Sequence, residues 1–200
     1  MKSWLALAGL IDATNRRVGH AVSWLILLVT LVSAFNAISR KAFSISSNAF
    51  LEIQWYLFAA VFLLAAGYTL LDNEHVRVDI LNTRFPIRTR LWFELFGTVF
   101  FLGPLTVLML WYGWPYFMVS ITSREVSLQA GGLILWPAKL LIPVGFLLLF
   151  LQGLSQAIKL TAALAGRHPA APLIDRHAAQ EEAAAAAAAI REHSGDGSRA

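Results

Sequence analysis

The chain has 200 residues, of which 58% are hydrophobic and only 14% charged, with no cysteine and a formal net charge of +4; its mean hydropathy is +0.62. A soluble domain averages about 25% charged residues, so this composition cannot clothe a water-facing surface and belongs to a membrane protein. The missing cysteines exclude a disulfide framework, a thiolate nucleophile, Cys-ligated zinc and iron–sulfur clusters. The basic residues gather at the edges of apolar segments, where orientation in a bilayer explains them better than nucleic-acid binding does.

In residues 1–17, Trp4, Leu7 and Ile11 lie at helical spacing with Val18, while Asp12 and Arg16 fall on another face. This predicts an amphipathic helix lying on the membrane surface. The run imitates a signal peptide, but Asp12, Asn15, Arg16 and Arg17 stand where a small-residue cleavage site would be, so it is read as retained. Stretches free of formal charge then follow at 18–39, 53–71, 95–123 and 140–158. Each reaches the roughly 18–20 residues that cross a hydrocarbon core as a helix. The predicted fold is therefore all-α, an integral membrane four-helix bundle over 18–160, with spans near 18–39, 49–71, 90–118 and 133–160. Residues 161–200 turn Gly/Pro/Ala-rich and include seven consecutive alanines. Without a packing partner such a run makes only a marginal helix, so a mobile tail is expected.

Lys and Arg counting sets the orientation. Twelve basic residues lie in the N-terminal segment, the loop between spans two and three and the C-terminal segment; the other face has only Arg40, Lys41 and Arg124. The positive-inside rule then places both termini in the cytoplasm. Trp55, Tyr56, Trp111, Tyr112, Trp114, Tyr116 and Trp136 gather at the outer ends of the spans, as an interfacial aromatic belt does.

The spans are nearly bare of chemistry. Their serines and threonines are read as bonding the backbone. A haem would need facing histidines within the spans, whereas His20, His75, His168, His177 and His193 lie at edges, in loops or in the tail; no zinc motif is present either. No catalytic residue, cofactor or metal is expected. Three polar places remain. Glu52 opens span two behind Ser46, Ser47 and Asn48, where an acid suits a helix start. Lys139 lies inside span four, either snorkelling to the headgroups or paired with Glu52 or with an acid on another subunit. In the turn 72–80, charged residues alternate with Val76, Val78 and Ile80, a strip suited to a partner or bilayer surface. Pro104 and Pro143 are placed to kink spans three and four. Ala59, Ala60, Ala65, Ala66 and Gly67 suit span two for close contact, within the chain or with a partner.

Glu52, Gln54 and Trp55 at the opening of span two, Ala65-Ala66-Gly67 near its end, and His75-Val76-Arg77-Val78-Asp79 directly after it resemble the small permease subunit of tripartite ATP-independent periplasmic (TRAP) transporters, the DctQ-like family. Trp136-Pro137, Ile142-Pro143-Val144-Gly145-Phe146 and Leu151-Gln152 resemble that family's last span. The resemblance implies an accessory role without enzyme activity. Such a subunit serves ion-gradient-driven organic acid uptake in the bacterial inner membrane, beside a large DctM-like permease subunit and a periplasmic substrate-binding protein. The residues agree independently, because transporter cores show repeats and midplane polar groups that this chain lacks, and no ATP-binding loop is present. Candidate structural or subunit-interface residues are Glu52, Gln54, Trp55, His75, Arg77, Asp79 and Lys139. Arg124 and Glu125, in an outer loop, are candidates for docking the binding protein. The alternatives are a membrane anchor for a redox enzyme and an independent small transporter.

Overall fold

The computed structural model describes residues 2–43, 48–72, 85–129 and 132–167. Within them the protein is helical: α1 Lys2–Phe43, α2 Asn48–Leu71, α3 Ile87–Phe96, a π-helical turn Gly97–Leu102, α4 Gly103–Thr122 and α5 Trp136–Leu164. Because α3, the π turn and α4 form one continuous rod, four helical units are long and apolar enough to cross a membrane. The predicted all-α, four-span class is therefore present. The only β pairing among the described residues is a single bridge between Val126 and Ile134.

Polar side chains share the interior with small and apolar ones, while the outside is strongly apolar. Asn15, Asn36, Glu52, Thr106, Ser120, Gln152, Ser155 and Gln156 are buried, while Trp24, Phe35, Phe62, Phe101 and Trp111 are exposed. In water such a surface would aggregate; in lipid it is the ordinary lining of a span. The central helix is α5, which packs against α1, α2, α3 and α4. Small residues let the backbones approach. A Cβ on Gly145 would lie 2.7 Å from the Leu63 carbonyl oxygen, and one on Gly19 would enter the Tyr68 ring. Ala60 and Gly67 are buried, with Gly67 lying under Asn15. These two members of the small-residue run of α2 thus serve contacts within the chain.

α1 differs from the expected pattern. No break separates residues 1–17 from the span, and the helix runs on for 42 residues, about 63 Å at 1.5 Å per residue. Ala8, Asn15, Val22, Val29 and Asn36 are buried at intervals of seven, with Ile11 beside them. Trp4 and Leu7, expected on the lipid-facing side of a surface helix, are exposed. Asp12 turns toward α5, where Lys159 and Ser155 meet it, so these first turns are tied to the bundle by their polar residues.

The π turn sits just before Pro104, where the Gly103 N–H reaches back to the Thr98 carbonyl. A proline removes a donor from the helical ladder, and a wider turn beside it takes up the mismatch. α5 begins at Trp136, after 133–135, because Leu133 and Leu135 are engaged in a hairpin: Ser127 N–H donates to the Leu133 carbonyl at 2.9 Å and Leu135 N–H to the Glu125 carbonyl at 3.0 Å. The tail expected over 161–200 begins as helix up to Leu164, closed by Gly166 at φ 68°. From 168 onward it lies outside the described residues.

Candidate functional site

Two clusters of polar side chains hold the bundle, one at each end of α5. At the hairpin end, α4 closes in a Schellman motif: Glu125 N–H donates to the Ser120 carbonyl and Arg124 N–H to that of Ile121, both at 3.2 Å. The left-handed position of this motif usually takes glycine, yet here Arg124 holds it with φ 49°. The chain then folds back through Val126 and Ile134.

Glu52, on the first turns of α2, pins this hairpin. It is 2% exposed. One carboxylate oxygen accepts from the Ser127 hydroxyl, and the other accepts from the Leu133 N–H at 2.7 Å. One turn further along α2, the Tyr56 hydroxyl donates to the Ile134 carbonyl at 3.3 Å. A carboxylate buried in this way is stable only with donors on both oxygens, and the hairpin supplies them. Lys139 sits beneath. It forms an ion pair with Glu125 and lies over the Tyr116 ring, 4.1 Å from the centroid. The Lys139 ammonium holds the Glu125 carboxyl below its ordinary value. The Glu52–Lys139 pair is thus not formed, because each charge is satisfied by a different part of the hairpin.

At the opposite end, α1 and α5 are stitched together. Lys159 pairs with Asp12 at 2.5 Å. The other Asp12 oxygen accepts from the Ser155 hydroxyl at 2.7 Å and from the Gln152 side-chain amide at 3.0 Å. Gln152 in turn accepts from the Asn15 side-chain amide at 2.9 Å. Gln152 and Ser155 are fully buried.

Among the candidate residues, the structure brings Glu52, Lys139 and Glu125 to one hairpin. Arg124 stands exposed at its edge, Gln54 is half-buried and Trp55 is exposed. His75, Arg77 and Asp79 lie outside the described residues. The stitch of Asp12, Asn15, Gln152, Ser155 and Lys159 was not expected. Its signal is present in the sequence: Gln152, Ser155, Gln156 and Lys159 recur at i, i+3, i+4 and i+7, one polar face on an otherwise apolar helix. Among the described residues no group of His, Asp or Glu is placed to hold a metal. Both clusters therefore join helices, and their carboxylates are already occupied.

These features define a multi-pass helical membrane protein whose polar side chains fasten its own helices. The chain matches, over residues 29–163, the family described as tripartite ATP-independent periplasmic transporters, DctQ component. It belongs to that family and is the small permease subunit of a TRAP transporter, a transporter-subunit family and not an enzyme family. No curated protein and no solved structure matches it.

Proposed function

We propose that this subunit braces the large permease of an ion-gradient-driven importer of organic acids in a bacterial inner membrane. In this reading both termini are cytoplasmic and the hairpin 123–135 faces the periplasm, where a substrate-binding protein delivers the acid. The observation that carries the proposal is the use of the buried polar groups. Glu52, Asp12, Gln152 and Lys159 bond to other helices and to the hairpin, whereas cavities along α4 and α5 have almost wholly apolar walls. An anion needs a hydrated, polar path, so its passage falls to a partner.

Reconstitution tests the division of labour. Vesicles holding this chain with its large permease and binding protein should accumulate substrate when an ion gradient is imposed, while vesicles with the chain alone should not. Uptake by the chain alone would refute the accessory role. Orientation has a clean test, because the protein has no cysteine: Leu128→Cys in whole cells should react with a membrane-impermeant maleimide applied from outside. For docking, Arg124→Glu is the informative change, since Glu125 is tied to Lys139. It should weaken coupling to the binding protein without loosening the hairpin.

A further inference from the structure

Beside the π turn, the flank between α3 and α5 carries two cavities that share Val99 and Ala157. One, of about 400 Å³, is walled by Trp92, Leu95, Phe96 and Phe100 on one side and by Ile158 on the other. The second, of about 180 Å³, continues along Leu102, Gly103 and Gly153 toward Thr106. Together they run from Trp92 to Thr106, about 21 Å of helix rise. One leaflet of a hydrocarbon core is about 15 Å deep, so the trough is long enough for one lipid tail.

The walls offer no polar partner. The three hydroxyls that line the trough donate to the carbonyls of their own helices: Thr98 to Glu94 at 2.8 Å, Thr106 to Leu102 at 2.8 Å and Thr161 to Ile158 at 2.8 Å. One turn beyond its Trp92 end the helix face is cationic. Arg88 is exposed one turn before Trp92 on the same face of α3, and the first turn of α3 contains no acid. The Nε of Arg90, two residues on, is buried without an acceptor. Glu94 lies on the Arg90 side of the helix, one turn along, and away from the Arg88 face.

We propose that this trough seats one acyl chain of an anionic phospholipid whose phosphate rests against Arg88 at the start of α3. The arrangement combines an apolar slot of leaflet length with an exposed arginine one helical turn beyond its Trp92 end. Arginine matches phosphate geometry and carries no donor that must be left unsatisfied in the slot itself. The site is separate from both helix-fastening clusters, and its occupancy does not depend on the accessory role proposed above.

The full chain, exchanged into nanodiscs of phosphatidylglycerol, phosphatidylcholine or an equal mixture and released for native mass spectrometry, provides the test. From the mixture it should retain one phosphatidylglycerol at least tenfold over phosphatidylcholine. Arg88→Ala, a change at an exposed position, should abolish that preference while leaving the melting temperature unchanged. Ala157→Phe, which fills the point shared by the two cavities, should lose retention of either lipid; helicity by circular dichroism verifies that this variant is folded. Equal retention of both lipids by the unaltered chain, or an unchanged preference in Arg88→Ala, would overturn the proposal. So would displacement of the lipid by inorganic phosphate alone, which would make the site a simple anion site. A helix of the large permease cross-linking into the trough through Phe100→Cys would likewise replace the lipid as occupant. None of these results alters whether the chain co-purifies with a large permease, so the two readings fail separately.

Discussion

At Glu52, one carboxylate holds two donors from a segment more than seventy residues away, the Ser127 hydroxyl and the Leu133 N–H. Hydrogen bonds to a charged group contribute about 1.5–3 kcal/mol, against about 0.5–1.5 for neutral ones. Glu52→Gln keeps an acceptor for one donor and should cost about 1 kcal/mol. Glu52→Ala leaves a buried N–H unsatisfied and should cost about 2–3 kcal/mol. Denaturation in mild detergent, read by circular dichroism, checks the order Glu, Gln, Ala. Arg124 is the opposite case. Its left-handed backbone costs a non-glycine residue about 1–2 kcal/mol, so Arg124→Gly should raise stability by up to about 1 kcal/mol even after the extra entropy of glycine in the unfolded chain is counted. If stability rises and uptake falls, the arginine is retained for a contact rather than for the fold. Glu125 gives a pH dependence. Its carboxyl is held below its ordinary value of 4.5 by the Lys139 ammonium, so its pairing contributes fully above that value and is lost as pH falls through the lowered one. The melting temperature in mild detergent should therefore hold from neutral pH down to about 4.5 and step down only below it. Lys139→Met should remove the pairing, melt lower already at neutral pH and lose this step.

Helix packing depends on glycines whose neighbours differ, and the contrast yields paired predictions. A Cβ on Gly145 would lie 2.7 Å from both the Cβ and the carbonyl oxygen of Leu63, whereas one on Gly9 meets nothing within 4 Å. Gly145→Ala should thus force α2 and α5 apart and cost about 1–3 kcal/mol, the usual range for overpacking. Gly9→Ala should be neutral or stabilise by up to about 1 kcal/mol, since alanine restricts the unfolded chain and favours helix. Thermal melts of the two variants side by side decide it. The same scale shows what the sequence made legible. Charge-free length located the helices because crossing a bilayer demands about twenty apolar residues whatever lies beside them. It could not reveal which partner each polar group takes. Depth alone suggested Glu52 with Lys139, but the hairpin carries Glu125 and the Leu133 N–H to the same level and satisfies each charge separately. Nor could hydrophobic spacing reveal that the start of α1 is tied into the bundle. There the residues that fix the helix are Asp12 and Asn15, whose partners lie about 140 positions along the chain.

For the whole molecule, the length of α1 decides what its first turns do. A span needs about twenty residues, and α1 has 42. A detached surface helix would add lipid affinity and leave the bundle unchanged when removed. The contacts of Asp12, Asn15 and Ala8 with α5 imply the reverse. Asp12 accepts from Ser155 and Gln152 and pairs with Lys159, while the Ala8 carbonyl also accepts from Ser155 at 3.2 Å. Deleting residues 2–16 would leave Lys159, Ser155 and Gln152 facing lipid or a void without their partners. A buried polar group so stranded costs about 1–3 kcal/mol, and more if it is charged. The truncated chain should therefore melt well below the full one in the same detergent. Asp12→Asn should give a smaller drop, since the amide still accepts from Ser155 but no longer neutralises Lys159. An unchanged melting temperature after the deletion would mean that the bundle is complete without its first four turns, and that the stitch between α1 and α5 has no part in holding it together.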